Sequence, residues 1–234
     1  MFFKAKTEKK EMAFGRIPAY CKYELFMERY RSAASFILTL KQGKSKLRVL
    51  DAGAGEGYLK YFCPWDWVEF IGTEIWPERL KVCESLGYQM VRHDLDKDPL
   101  PFPDGHFDAV VASHILEHLH DPERALRELY RVTAPNGFVM IGLPMHPGWL
   151  ALLLKLWNRV LGVRGDHLHF FSKRSLRMLL KPYHVTDVRG FRLISARRRS
   201  NLENHEWFYT FNTWWGRHFP YASSEINAVL RKGI

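Results

Sequence analysis

The stretch Arg48-Val49-Leu50-Asp51-Ala52-Gly53-Ala54-Gly55-Glu56-Gly57 constrains this chain more than any other. A short apolar run ends in an acid and then breaks into three glycines at alternate positions, the order of a strand, a tight turn and a helix start. Glycines so spaced let the backbone take positive φ and let a ligand come close, while the free N–H groups of the next helix point at it. A bound cofactor is expected at this turn. The dinucleotide fingerprint needs its third glycine three residues after the second, and Gly57 follows Gly55 by two, which weighs against a nicotinamide dinucleotide. Glycines that only make a strand-to-helix turn are the alternative on this stretch alone.

At 234 residues, 47% of them hydrophobic, the chain can bury one full core. No linker, repeat or low-complexity tract interrupts it, so a single domain over 1–234 is expected. Cys21, Cys63 and Cys83 are odd in number and form no Cys-x-x-Cys pair, which supports neither a disulfide framework nor a zinc knuckle. Met1-Phe2-Phe3 runs at once into Lys4, Lys6, Lys9 and Lys10, and no apolar run approaches the roughly 20 residues that span a bilayer. A cytoplasmic chain, at most peripheral to a membrane, is the expectation. The formal charge of +10 raises nucleic acid or an anionic membrane as partners, but the basic residues are dispersed, so solubility is the simpler account.

Apolar residues recur at helical spacing from Tyr23 to Leu40, and Gln42-Gly43-Lys44-Ser45 ends that helix ahead of the glycine-rich strand. A helix begins near Glu56 and stops before Pro64. Trp67 to Thr73 reads as a strand ending at Glu74, 19 residues after Gly55, where nucleotide-binding α/β folds place a carboxylate for ribose hydroxyls. An acid that caps the next helix is the alternative for Glu74. A helix from Pro77 to Leu86 and a short strand from Met90 to Arg92 lead to Asp94-Leu95. Phe107 to Ala112 and Phe138 to Leu143 are strands. Between them Asp121-Pro122-Glu123 starts a helix that Pro135-Asn136-Gly137 closes. This alternation implies a parallel sheet with right-handed crossovers, an α/β doubly wound fold.

Trp149 to Leu161 is a strongly apolar helix too short to cross a bilayer. It is expected to pack on the sheet or over the active site, with a membrane surface or a partner groove as the alternative. Ser172 caps a helix that Pro182 stops. Val185 to Phe191 and Ile226 to Leu230 read as the last strands, separated by an aromatic-rich insertion that carries Trp207, Phe208, Tyr209, Phe211, Trp214, Trp215, Phe219 and Tyr221.

Five further motifs follow the glycine run in order: Phe70-Ile71-Gly72-Thr73-Glu74, the stretch from Leu100 to Asp108, Leu116-Glu117-His118-Leu119, Glu128-Leu129-Tyr130-Arg131-Val132, and Pro135-Asn136-Gly137. Together they resemble the class I S-adenosylmethionine-dependent methyltransferases, in the type 11 group that includes ubiquinone and menaquinone biosynthesis methyltransferases. The resemblance covers Val49 to Pro144. It implies a Rossmann-like, seven-stranded, mostly parallel sheet with a final antiparallel strand and helices on both faces. The domain is then expected to divide into an N-terminal extension and helix (1–45), a cofactor core (46–145) and, from the apolar and aromatic density of the two remaining segments, acceptor-side lid insertions (146–172 and 192–222). The resemblance implies S-adenosylmethionine as cofactor, with Asp51, Gly53, Gly55 and Gly57 as the methionine cradle. Glu74 would hold the ribose hydroxyls, Ile75 would cover an adenine face, Asp94 and the Leu95 amide would read the adenine edge, and Ser113 would lie under the methionyl group. The family more often has Asp at Glu74 and Gly at Asn136; the first departure keeps a carboxylate and the second keeps a turn, since Asn tolerates positive φ. Pro182-Tyr183 replaces the usual Gly-Phe before the sixth strand.

Methyl transfer from a sulfonium is an in-line displacement, so positioning dominates. A hydroxyl or acidic-carbon acceptor also needs a base, and histidine is the usual one. His118 and His114, after the fourth strand, are the candidate bases, with His120 beside them. His167 and His169 follow the apolar segment, and as a metal pair they lack a nearby third ligand, so no metal is expected. Amino-methylating nucleic-acid enzymes of this fold carry an Asn/Asp-Pro-Pro-aromatic run where this chain has Ser113-His114-Ile115-Leu116, and nucleobase methylation is disfavoured. A small-molecule or lipid-like acceptor is the leading expectation. The rivals are an RNA methyltransferase, on the strength of Arg192, Arg197, Arg198 and Arg199 beside aromatics, and an inactive membrane- or partner-binding protein on the same fold.

Overall fold

The computed structural model describes residues 27–42, 44–161, 167–193 and 205–233. Seven strands form one sheet: β1 (Leu47–Ala52), β2 (Val68–Glu74), β3 (Gln89–Arg92), β4 (Phe107–Ser113), β5 (Thr133–Pro144), β6 (His184–Phe191) and β7 (Glu225–Arg231). Their spatial order is β3-β2-β1-β4-β5-β7-β6. Pairings from β3 to β5 are parallel, and β7 runs antiparallel to both β5 and β6. The doubly wound sheet with a reversed last strand is therefore the fold that the chain adopts.

The helices are α1 (Glu28–Thr39), α2 (Tyr58–Phe62), α3 (Pro77–Ser85), α4 (Pro122–Val132), α5 (Gly148–Leu161), α6 (Lys173–Leu180) and α7 (Glu206–His218). Alternation along β1 divides the core in two. Val49 packs with Ile37 of α1, Leu59 of α2 and Cys83 of α3. Leu50 and Ala52 pack with Leu126 and Leu129 of α4 and Leu176 and Leu179 of α6. A parallel strand covered on both faces must be apolar on both, which is why β1 reads as a run and not as an alternation.

Two boundaries differ from expectation. Pro135-Asn136-Gly137 does not close α4; the helix ends at Val132, and β5 starts at Thr133 and passes through this tripeptide. Backbone bonds from Asn136 N to Lys232 O and from Lys232 N to Gly137 O, 3.0 Å each, draw it into the sheet. Asn136 takes the positive φ, 61°, that its side chain tolerates. Helix α2 starts at Tyr58, because Gly57 ahead of it is left-handed. The aromatic insertion is largely the helix α7, which docks on the edge strand β6: a Cβ on Gly216 would stand 1.8 Å from Gly190 O. Tyr209 Oη of α7 also donates to Glu28 of α1 at 2.6 Å.

Helix α5 departs from the expectation of a packed helix. Ala151 is buried, but Trp149, Leu152, Leu153 and Leu156, at helical i, i+3, i+4 and i+7 spacing, are exposed. Among the described residues no helix is long and apolar enough to cross a membrane. Cys63 and Cys83 are free and buried, and burial pushes both thiols up, Cys83 to about 12. Cys21, Arg197, Arg198 and Arg199 lie outside the described residues.

Candidate active site

The carboxyl ends of β1, β2 and β4 meet at the glycine loop. Gly53, Gly55 and Gly57 all have positive φ, at 67°, 59° and 72°. Their tasks differ. A Cβ on Gly53 would stand 2.4 Å from Ile115 Cδ1, so Gly53 lets the loop after β4 close over the turn. A Cβ on Gly57 would stand 2.7 Å from Leu86 Cδ1, so Gly57 is required by packing against the end of α3. Gly55 has open space in front of it, its nearest neighbour being Gly53 O at 3.9 Å.

Glu74, at the end of β2, is buried, and its carboxylate gathers main-chain donors. Gly55 N donates to Oε2 at 3.1 Å, and Ile75 N and Trp76 N donate to Oε1 at 2.8 and 3.3 Å. The carboxylate thus ties the glycine loop to the turn after β2, with acceptor capacity left over. Ile75 and Trp76 beside it are exposed.

Asp51 has another task. Its buried carboxylate accepts from Tyr88 Oη at 2.8 Å, and the same hydroxyl accepts from Lys60 N at 3.2 Å. Burial pushes the Asp51 carboxyl up from 3.8 to about 7, against the Tyr88 hydrogen bond and with help from the Glu74 charge. The side chain therefore braces the loop from beneath.

On the next loop, Asp94 is one-third exposed, caps Asp96 N at 3.0 Å and pairs with Lys97 at 2.9 Å, which holds its carboxyl below the usual range. Leu95 is buried, and its carbonyl accepts from Arg124 Nη2 at 2.8 Å. Asp96 accepts from His120 N and faces His120 Nδ1 at 3.0 Å, joining the loops after β3 and β4. Ser113 Oγ is buried where Tyr30 of α1 reaches in between Ser113 and Asp51, and burial pushes the Tyr30 hydroxyl far up.

The loop after β4 carries the histidines. His114 is left-handed, φ 55°, with Nδ1 3.1 Å from Glu117 Oε1 and Nε2 3.7 Å from Glu225 Oε2. Its side chain is 18% exposed and that of His118 is 37%, so His118 is the more open candidate base. Burial pushes the Glu117 carboxyl up, but His114 and His118 outweigh it and hold it below the usual range. Glu225 behaves alike: burial is outweighed by Arg29 at 2.7 Å, His114, and Arg192 at 2.8 Å. Arg192, one of the arginines that suggested RNA, is engaged in this cluster. The sequence pair His167-x-His169 is split: His169 Nε2 faces His120 O at 3.3 Å, whereas His167 stands beside His118 and Glu117, which supply the neighbours that its sequence surroundings lack. Tyr30, Arg29 and Glu225 were not singled out from the sequence; an acid immediately before the last strand expected at Ile226 to Leu230 was the one local sign.

The reversed seventh strand and the glycine loop tied to an acid after β2 define the Rossmann-like methyltransferase class. A methyltransferase-domain family model matches residues 23–188, and the chain belongs to that family. It is 31% identical over 177 residues to a malonyl-[acyl-carrier protein] O-methyltransferase of Pectobacterium atrosepticum, covering 73% of this chain and 66% of that one. It is 35% identical over 133 residues to a demethylmenaquinone methyltransferase of Thermus thermophilus, covering 52% and 60%. The chain thus spans slightly under two thirds of the length of these relatives. A solved S-adenosylmethionine-dependent methyltransferase of Archaeoglobus fulgidus shares the fold at 20% identity, with a TM-score of 0.57 over 99% of this chain and 100% of that one.

Proposed function

We propose that this chain transfers a methyl group from S-adenosylmethionine to a small-molecule or lipid-like acceptor by in-line displacement. The observation that carries this reading is the convergence of Gly55 N–H and the two amides after β2 on the buried Glu74 carboxylate, beside open space at Gly55. These residues fit the cofactor. Gly53 and Gly55 would leave room for the methionine end, Glu74 has lone pairs for ribose hydroxyls, and exposed Ile75 would cover an adenine face. Asp94 and the Leu95 amide would read the adenine edge, and Ser113 would lie beneath the methionyl group. When bound, the sulfonium supplies an already activated methyl group. The chain then has to orient the acceptor, a task worth up to roughly 7–11 kcal/mol in favourable systems. His118 would take the proton of a hydroxyl or acidic-carbon acceptor.

Relatives named for demethylmenaquinone, malonyl-[acyl-carrier protein] and ajmaline support an acceptor that is small or lipid-like. The exposed stripe on α5 supports an amphiphile. Gly148 at its start lines one pocket with Lys173, Arg174, Arg177 and Met178 of α6 and with Lys181 just after it, so basic groups lie next to the start of α5, a pattern suited to peripheral contact with an anionic membrane. Calorimetric titration with S-adenosylhomocysteine tests the central claim. Binding by the native chain that is lost in Gly55→Val and Glu74→Ala is expected; a folded native chain that does not bind it would overturn the reading.

A further inference from the structure

The loop after β4 gathers more ionisable groups than methyl transfer requires. We propose that Glu117, His118 and His167 form a binding site for a divalent transition-metal ion. One ligand atom from each of the three lies within 4.8 Å of the others. Ligand atoms about 2.1 Å from a shared ion stand closer than this, so modest rotation of the two imidazoles closes the site.

The arrangement is built rather than incidental. Glu117 is completely buried, and its Oε2 has no hydrogen-bond partner among the described residues. A buried carboxyl group with an unfilled oxygen calls for a partner, and a cation is one that fits it. His167 is brought from 49 positions away by two staples: Leu168 N and His169 N both donate to Glu117 O, at 2.8 and 3.0 Å, and Phe171 bridges to Met145 at the end of the sheet. Behind the three ligands, His114 Nδ1 stands 3.1 Å from Glu117 Oε1 while its other ring nitrogen faces Glu225. A ligand carboxylate oriented by a histidine that is itself oriented by a second acid is the outer-shell support that metal sites use. It also gives a reason for the left-handed backbone of His114, a conformation uncommon outside glycine.

Two imidazoles and one carboxylate suit zinc, cobalt, iron or manganese better than magnesium or calcium. Three protein ligands leave coordination positions open. An acceptor oxygen is the group suited to fill one, which deepens the methyltransferase reading and rests on it. An acceptor hydroxyl bound there would release its proton to water more readily, with the cation holding the oxyanion. His118 would then serve as a ligand, and the cation would do what a base would otherwise do.

The test titrates the full chain, freed of metal by a chelator, with Co²⁺, Zn²⁺ and Mn²⁺, following heat and the visible absorption of Co²⁺. Binding of a single ion is expected, lost in His167→Ala, weakened about tenfold to a hundredfold in His114→Ala, and kept in His169→Ala. Glu117→Gln should also lose it; circular dichroism tells loss of binding from loss of fold, and His167→Ala stands as the partly exposed substitution if Glu117→Gln does not fold. Absence of binding by the folded native chain, or binding unchanged in His167→Ala, overturns the proposal. Titrating the same samples with S-adenosylhomocysteine separates the two readings: metal bound without it leaves this site standing and sinks the methyltransferase reading, and the reverse outcome sinks only the site.

Discussion

Two polar centres sit at the carboxyl edge of the sheet and are built on opposite plans. At the β1–β2 end, Glu74 accepts from three main-chain amides within the glycine loop and the turn after β2, and its only ion-pair partner among the described residues is the half-exposed Arg79 at 3.7 Å. At the β4–β7 end, Glu225 is satisfied by charged side chains, Arg29 from α1 and Arg192 from the segment after β6, and His114 from the loop after β4 stands between it and Glu117. Main-chain donors are ordered by the fold itself and leave lone pairs for a neutral hydroxyl. A buried cluster of charges holds only while every member is present, because removing one strands the others in a medium that cannot solvate them. The first plan can be written within about thirty residues; the second needs the whole chain.

The sharpest way to break this comparison is Glu225→Ala. It removes the carboxylate that two guanidinium groups share, and a loss of about 3–5 kcal/mol is expected by urea denaturation. Glu74→Ala should cost less stability and instead lose ligand binding. Equal stability losses at the two sites would show that the plans do not differ.

Asp51 comes next, and its effect depends on pH. Its folded carboxyl titrates near 7 against an ordinary 3.8. Between those values the unfolded chain has released a proton that the folded chain keeps, so stability falls as pH rises through about 4 to 7 and the full cost is present above 7. Asp51→Asn keeps an acceptor for Tyr88 and removes the titration. In the cofactor-free protein it should therefore be more stable than the native chain at pH 8, by up to roughly 4 kcal/mol at about 1.4 kcal/mol per unit, and match it near pH 4. Melting curves across that range check the sign. Tyr88→Phe should have the smallest effect, about 1–3 kcal/mol, by taking from the Asp51 carboxylate the hydrogen bond that Tyr88 donates. It should also steepen the pH dependence, since that bond holds the carboxyl down.

The glycine-loop end of the sheet was legible because its signals are local. Gly53, Gly55, Glu74 and Asp94 stand at characteristic distances along a strand-turn-helix pattern, and the structure brings them to one edge. Gly57 was legible as a turn glycine but not as a packing one, since Leu86 lies 29 positions away. Asp51 was read with the cradle, but only the fold shows its carboxylate braced by Tyr88. The extension of β5 back to Thr133 was missed because Pro135-Asn136-Gly137 has turn chemistry, which pairing with Lys232 overrides. The histidines were visible as types, but their grouping was not.

By itself the sequence determined the doubly wound sheet and the glycine loop, because periodicity, turn residues and short spacings act between neighbours in the chain; the reversed last strand was expected only from the family resemblance. Only the tertiary structure decided which charges share a carboxylate, that His167 leaves His169 for Glu117 and His118, and that the apolar stripe of α5 faces outward. Those outcomes depend on segments separated by 33 to 196 positions, and packing of the sheet, not local propensity, brings such segments together.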